Sequence, residues 1–280
     1  MAPGPMVESA PGGPHRGRHE GGTMRAARTR RGARRPLIGT SWKMNLTSTQ
    51  AERWLRAVVP QVADLDDRDL FVLPSFPALW VARRELSGTA IAWGAQDVHP
   101  DDRGAHTGDV SGEMLADLGC TYVEMGHSER RYAYGEGDAL VAAKAAAALR
   151  WGLTPVVCVG ERELWPLATA WGAVSRHLKR SLRGLDGPAL DGIVVAYEPH
   201  WAIGVGAQAA PLDHIEAIIG ETHRWLAARG GTSTRVLYGG SIDASNAARI
   251  AATPGVDGLF VGRAALDPAV FVTIARVPIP

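Results

Sequence analysis

From Pro36 onward, short apolar runs alternate with longer stretches of helical pattern. The short runs are PLIGTSW (36–42), LFVLPSF (70–76), AIAWGAQ (90–96), TYVEMGH (121–127), TPVVCVG (154–160), IVVAYEP (193–199), RVLYGGS (235–241) and GLFVGRA (258–264). They are continuous and β-branched rather than alternating, the pattern of strands buried on both faces of a parallel sheet. Between them, AERWLRAVVPQVADL, DALVAAKAAAALRWG, LDHIEAIIGETHRWLAARG and DASNAARIAA read as helices. Several start after Ser, Thr or Asp and stop near Gly, which supplies caps. Eight βα units over about 245 residues match an α/β fold of the (β/α)8 barrel type in count and size. A doubly wound open sheet is the rival, but eight regular units without a second domain favour closure. Residues 36–280 are therefore expected to form one barrel domain.

Residues 1–35 break the pattern. They are rich in Gly, Pro and Arg and almost free of large apolar groups. Such a segment cannot bury enough surface to offset its ordering entropy, so a disordered tail is expected. It holds no apolar core of a signal peptide. The whole chain has 280 residues and a formal net charge of +1, which gives no electrostatic reason to expect nucleic acid or membrane partners. No apolar run approaches the roughly 20 residues of a membrane span. Cys120 and Cys158 lie in apolar runs and suggest no disulfide framework, so a reducing cytoplasm is the default location.

In a barrel the chemistry sits at the C-terminal ends of the strands. The first run ends in Lys43, the fourth in His127 and the sixth in Glu198. The last two end in Gly-rich turns, YGGS (238–241) and VGR (261–263), whose backbone N–H groups suit a phosphate. A cation, an imidazole, a carboxylate and a phosphate cradle at one mouth make a proton-transfer site for a small phosphorylated molecule. Taken singly, each has a plainer reading. A strand-end lysine is usually solvated, His127 could be a structural hydrogen-bonding group, and Glu198 could pair with a surface arginine. Cys158 reads as core rather than nucleophile. His99 and His106 share a loop with Asp97, Asp101 and Asp102, but the spacing fits no metal motif, so a solvated or interface loop is expected and no metal site.

Taken together, GTSWKMN, GAQDV, GAHTGD, EMGHSERR, CVGE, AYEPHWAIGVG, YGGSI and DGLFVGRA resemble the motifs of triosephosphate isomerases, in order, over 36–266. The resemblance implies a TIM barrel and that family's acid–base chemistry, itself a standard case of it. It implies that Glu198 takes a proton beside the carbonyl, that neutral His127 polarises the carbonyl, and that Lys43 offsets phosphate and enediolate charge. Glu129 resembles the carboxylate facing that lysine. His200, Trp201, Ala202, Ile203, Gly204, Val205 and Gly206 resemble the lid, and Gly204, Ser241 and Gly262 the donors of backbone N–H groups to phosphate. No metal or organic cofactor is implied. The loop over 97–108, with Thr107, resembles the family's interface loop and implies a homodimer, although Asp109 replaces the family's Glu.

Four positions depart from the family pattern. Ser41 stands where the family has Asn, His200 where it has Val, Val205 where Thr is usual, and Arg263 where it has a second Gly. Ser41 and Arg263 resemble the branch that isomerises L-erythrulose 1-phosphate to D-erythrulose 4-phosphate in erythritol breakdown. Serine is smaller than asparagine and leaves room for the extra CH₂OH of the four-carbon sugar. That reaction is the first expectation. The triose reaction of glycolysis is the alternative, and an inactive barrel that binds a phosphorylated ligand or a partner is the reading from another class.

Overall fold

The computed structural model describes residues 34–279. Most of the expected tail, residues 1–33, lies outside the described residues. Eight parallel strands close into a barrel in sequence order. They are β1 (Leu37–Ser41), β2 (Asp69–Leu73), β3 (Ile91–Ala95), β4 (Tyr122–Met125), β5 (Thr154–Val159), β6 (Val194–Tyr197), β7 (Arg235–Tyr238) and β8 (Gly258–Val261). Closure comes from β1, which pairs with β2 through Leu37 and Asp69 and with β8 through Leu37 and Gly258. The helices are α1 (Ser48–Val62), α2 (Leu79–Leu86), α3 (Gly112–Asp117), α4 (Ser128–Ala133), α5 (Asp138–Arg150), α6 (Leu167–Ser181), α7 (Pro188–Asp191), α8 (Leu212–Ala227), α9 (Ala247–Ala251) and α10 (Pro268–Ala275). Helix α1 starts on a capping box. Thr47 Oγ1 accepts from the Gln50 N–H, and Gln50 Oε1 accepts from the Thr47 N–H.

The continuous apolar runs have a direct cause, because each strand feeds two cores. Leu37, Phe71, Val156, Val194, Leu237 and Phe260 point into the barrel, and Ile38, Val72, Val123, Val157, Val195 and Val236 point out to the helices. Inside, Phe71 stacks on Tyr122 at 4.7 Å and on Phe260 at 5.6 Å between ring centroids. Gly39 makes space for this stack, since a Cβ there would overlap the Phe71 ring. By strand alternation Glu124 shares the inward face of β4 with Tyr122.

The tail boundary shifts by two residues. Arg34 and Arg35, assigned to the tail by composition, are engaged at the N-terminal end of the barrel. Arg34 Nη1 donates to the Thr234 carbonyl at 2.8 Å, and Arg35 lies 3.3 Å from Asp69. Asp69 also pairs with Arg235 at 2.7 Å. These are contacts across the barrel floor, which a local reading of composition does not contain.

Candidate active site

Each functional group enters from a different strand end. Strand β1 hands over to Trp42, which is buried edge-on against Trp54 at 4.9 Å. With Trp42 anchored, Lys43 turns into the left-handed region at φ 52°. That conformation is costly for a side-chain-bearing residue and persists where neighbours fix it. Gln96 Nε2 donates to the carbonyls of Lys43 and Leu73, and Asn45 Nδ2 donates to that of Trp42. Lys43 Nζ then reaches Glu129 Oε1 at 2.7 Å. Burial opposes charge on Glu129, but the lysine hydrogen bond and charge hold its carboxyl below the usual range.

His127 follows β4 and sits at the N-terminus of α4. Its Nδ1 accepts the backbone N–H of Glu129 at 3.1 Å. That bond leaves the proton on Nε2. Burial, then the nearby Lys43 charge, pushes the imidazole well below its ordinary pKa, so it is neutral at pH 7. Its Nε2 lies 3.4 Å from Glu198 Oε2.

Glu198 follows β6 and is buried. Its Oε2 has no hydrogen-bond partner among the described residues. Burial, then the negative charge of Glu124, raises its proton affinity. Gly239, just past the end of β7, leaves room for it, since a Cβ there would lie 2.7 Å from Glu198 Oε1.

Opposite the carboxylate, Ser241 adopts φ 43° and donates its hydroxyl to the Ala202 carbonyl at 2.7 Å. Gly262 opens the short helical turn Arg263–Leu266 after β8. Lys43, His127, Glu198, Glu129, Ser41, Gly204, Ser241, Gly262 and Arg263 all line one cavity of about 480 Å³. The catalytic and substrate-binding residues expected from sequence therefore converge on one mouth. Of the residues expected to form a lid, Ile203, Gly204 and Gly206 reach this cavity, whereas His200, Trp201, Ala202 and Val205 do not line it. His200 packs on Tyr132 at 4.7 Å, and Val205 is 91% exposed at the lid tip.

Two residues stand in the quoted motifs EMGHSERR and CVGE without a role assigned to them there. Glu161 is buried at the lid root and accepts from Trp201 Nε1 at 2.8 Å and Tyr197 OH at 3.0 Å, with His214 Nε2 also at 3.0 Å. The far end of the segment is held by Tyr238 OH, which accepts the Ala210 N–H at 2.8 Å. Glu124 lines the mouth itself, and its Oε2 accepts from Ser41 Oγ at 2.6 Å. Burial pushes its carboxyl above the ordinary range. The available signal was a lone acid inside the apolar run TYVEM, at an inward parity.

The loop after β3 is not simply solvated. Asp97 pairs with Lys144 at 2.6 Å and Arg130 at 2.9 Å, and Asp102 accepts from Trp151 Nε1 at 2.7 Å. His99, His106 and Asp109 each bring one ligating atom within 4.8 Å of the others, a grouping that the spacing did not suggest. Thr107 is exposed and does not line the mouth. No helix among the described residues is long and apolar enough to cross a membrane.

Known proteins resemble this chain in sequence and fold. The family model described as triosephosphate isomerase matches residues 36–277. The triosephosphate isomerase of Herpetosiphon aurantiacus is 42% identical over 248 residues, covering 87% of this chain and 99% of its own. That of Thermus thermophilus is 42% identical over 249 residues, with 87% and 99% covered. A crystal structure of triosephosphate isomerase from Bartonella henselae superposes with a TM-score of 0.76 at 34% identity, over 86% of this chain and 97% of that one.

Proposed function

This chain belongs to the triosephosphate isomerase family, a family of isomerases, and from that premise we propose that it moves a carbonyl to the adjacent carbon of a small phosphorylated sugar through an enediolate. Membership sets aside the inactive barrel. The observation that carries the reading is the approach of an orphaned carboxylate and a neutral imidazole, 3.4 Å apart, beside an ammonium group. In the proposed reaction Glu198 takes the proton from the carbon next to the carbonyl. His127 Nε2–H hydrogen-bonds the carbonyl oxygen, and Lys43 offsets the charge that gathers on the oxygens. His127 carries the hydroxyl proton from one oxygen of the enediolate to the other, and Glu198 returns its proton to the neighbouring carbon. Protons only change places, so no cofactor is needed. Phosphate sits against the N–H groups of Gly204, Ser241 and Gly262, with Arg263 at the rim. The lid closes over the enediolate and keeps water from it.

Interconversion of glyceraldehyde 3-phosphate and dihydroxyacetone phosphate, the triose step of glycolysis in the cytoplasm, is the reading that the relatives' names support. Isomerisation of L-erythrulose 1-phosphate to D-erythrulose 4-phosphate is the second reading, favoured by one observation. Ser41 is committed by its hydroxyl to the buried Glu124, in a place where the family has Asn. The two substrates should be assayed side by side on the wild type and on Ser41→Asn. The triose reading expects the higher wild-type kcat/KM on glyceraldehyde 3-phosphate, and the four-carbon reading expects the reverse. One extra carbon in a tight site costs ~1–3 kcal/mol. Under the second reading Ser41→Asn should therefore lower the four-carbon kcat/KM by about 10–100-fold relative to the triose. An unchanged ratio removes Ser41 as the selector.

The active form is proposed to be a homodimer. Support comes from the loop over 97–108, whose likeness to the family's interface loop carries the expectation, and from the large apolar side chains left in water after the first three strands, Met44 at 97%, Trp80 at 66% and Met114 at 56% exposed. Light scattering on the eluted protein should return a dimeric mass. A fully active monomer would refute it.

A further inference from the structure

Glu124 has features that the proposed proton transfers leave unused. It is a carboxyl on the inner wall of a barrel that is otherwise apolar below it. Its 3% exposure is close to the 6% of His127, Glu198 and Ser41, and it opens on the same cavity as they do. One oxygen accepts from Ser41 Oγ at 2.6 Å, and the other has only the Cys158 thiol, at 3.8 Å. A carboxylate has about four acceptor positions. Two hydrogen bonds, one of them from a weak donor, leave acceptor capacity unfilled. The nearest ammonium, Lys43, bonds Glu129 instead. Burying a carboxyl with so few partners is costly unless something else donates to it.

Its position says what that donor belongs to. Glu124, Cys158 and Glu198 each place one polar atom within 4.8 Å of the others. A carbon in contact with the Glu198 carboxylate therefore lies one short arm away from the Glu124 carboxylate. That arm must end in a hydrogen-bond donor, because a carboxylate only accepts. It must be neutral, since an anion would meet two carboxylates and a cation would lower the basicity of Glu198. It must also be short, since the rings of Phe71, Tyr122 and Phe260 close the barrel beneath.

We infer that Ser41 and Glu124 form a hydroxyl subsite beside Glu198, which takes a CH₂OH group carried by the carbon that Glu198 deprotonates. The inference rests on the four-carbon reading above and deepens it. Ser41 provides the room and holds one Glu124 oxygen in place, and the free acceptor positions of Glu124 receive the substrate hydroxyl.

The test compares Glu124→Leu, Glu124→Gln and Ser41→Ala with the wild type. Three substrates are used: L-erythrulose 1-phosphate, its analogue with CH₃ in place of CH₂OH, and glyceraldehyde 3-phosphate. A hydrogen bond to a charged group is worth about 1.5–3 kcal/mol, or about 10–150-fold. Glu124→Leu is expected to lower the four-carbon to triose ratio of kcat/KM by that factor, with Glu124→Gln recovering part of it. In the wild type, removing the substrate hydroxyl should cost a similar factor, and in Glu124→Leu it should cost nothing further. If the wild type does not turn over L-erythrulose 1-phosphate, the four-carbon reading and the subsite fall together. If it does, and Glu124→Leu loses equally on all three substrates, the reading stands and the subsite is overturned. Should Glu124→Leu not fold, Glu124→Gln and Ser41→Ala decide on the same ratio.

Discussion

Glu198→Gln is expected to lower kcat by at least about 10²–10⁴-fold, the usual contribution of a general base, while raising the melting temperature at neutral pH. The first half follows from position. Glu198 is the carboxylate at the mouth with an unpartnered oxygen, and glutamine keeps its shape without its proton affinity. The second half follows from what holds the proton. Burial and the neighbouring Glu124 charge raise the folded-state pKa of Glu198 above its unfolded value. The folded protein then binds the proton more tightly than the unfolded chain does. Stability is lost as pH rises from the ordinary carboxylate range through the raised value. Glutamine has no such loss, so the difference in melting temperature should be largest above neutrality and vanish near pH 4. Each 1 kcal/mol corresponds to about 2–4 °C in a domain of this size. His127 has the opposite sign, because its lowered pKa gives stability that fades as pH falls below its ordinary value of 6.5. At pH 8 it is neutral in both proteins and does not enter the comparison there. Solvent hydrogen exchange into the substrate and melting curves at pH 5 and pH 8 check the two halves. Wild-type exchange in the variant would remove Glu198 as the base. A lower melting temperature at pH 8 would remove the electrostatic argument.

Lys43→Met is expected to lower kcat/KM by about 10²–10³-fold, the loss typical when one group that stabilises developing charge is removed. The ammonium group lines the mouth on a backbone set at φ 52°. Its partner Glu129 has a side chain 51% exposed, so losing the pair should cost little stability, as for surface ion pairs worth about 0–1 kcal/mol. The melting temperature should therefore move by only a few degrees, about 4 °C at most. Lys43→Arg should not restore the rate, because a planar guanidinium cannot replace a compact point charge. Steady-state kinetics on all three proteins decide it. A Lys43→Met variant with near wild-type kcat/KM would show that the lysine only holds Glu129.

The barrel was legible because its strands are buried on both faces, which writes continuous apolar runs into the chain. The strand-end residues Lys43, His127 and Glu198 were legible because they interrupt those runs where water begins. The runs overstate the strands at their C-terminal ends. Tyr122–Met125 is the strand, while His127 already belongs to the site. Short helices such as α3 and α7, of 6 and 4 residues, are too short to show a helical period. Helix α9 starts at Ala247 rather than Asp243, because the Asp243 carboxylate accepts from the Ser245 and Asn246 N–H groups in a turn. The roles of Glu124 and Glu161 stayed hidden because their partners, Ser41 and Trp201, are 83 and 40 residues away in sequence. The proposed choice between three and four carbons turns on the same kind of distant pair, Ser41 and Glu124.

The stacked rings of Phe71, Tyr122 and Phe260 make the barrel a blind well. Whatever enters at the mouth must leave by the way it came. In the proposed reaction substrate and product queue at that doorway, with the proposed lid as its gate. Every moment such a lid stays shut to shelter the enediolate is a moment in which the next molecule waits outside. Protection and throughput are thus drawn from the same opening, and a faster hinge would gain one only by surrendering some of the other.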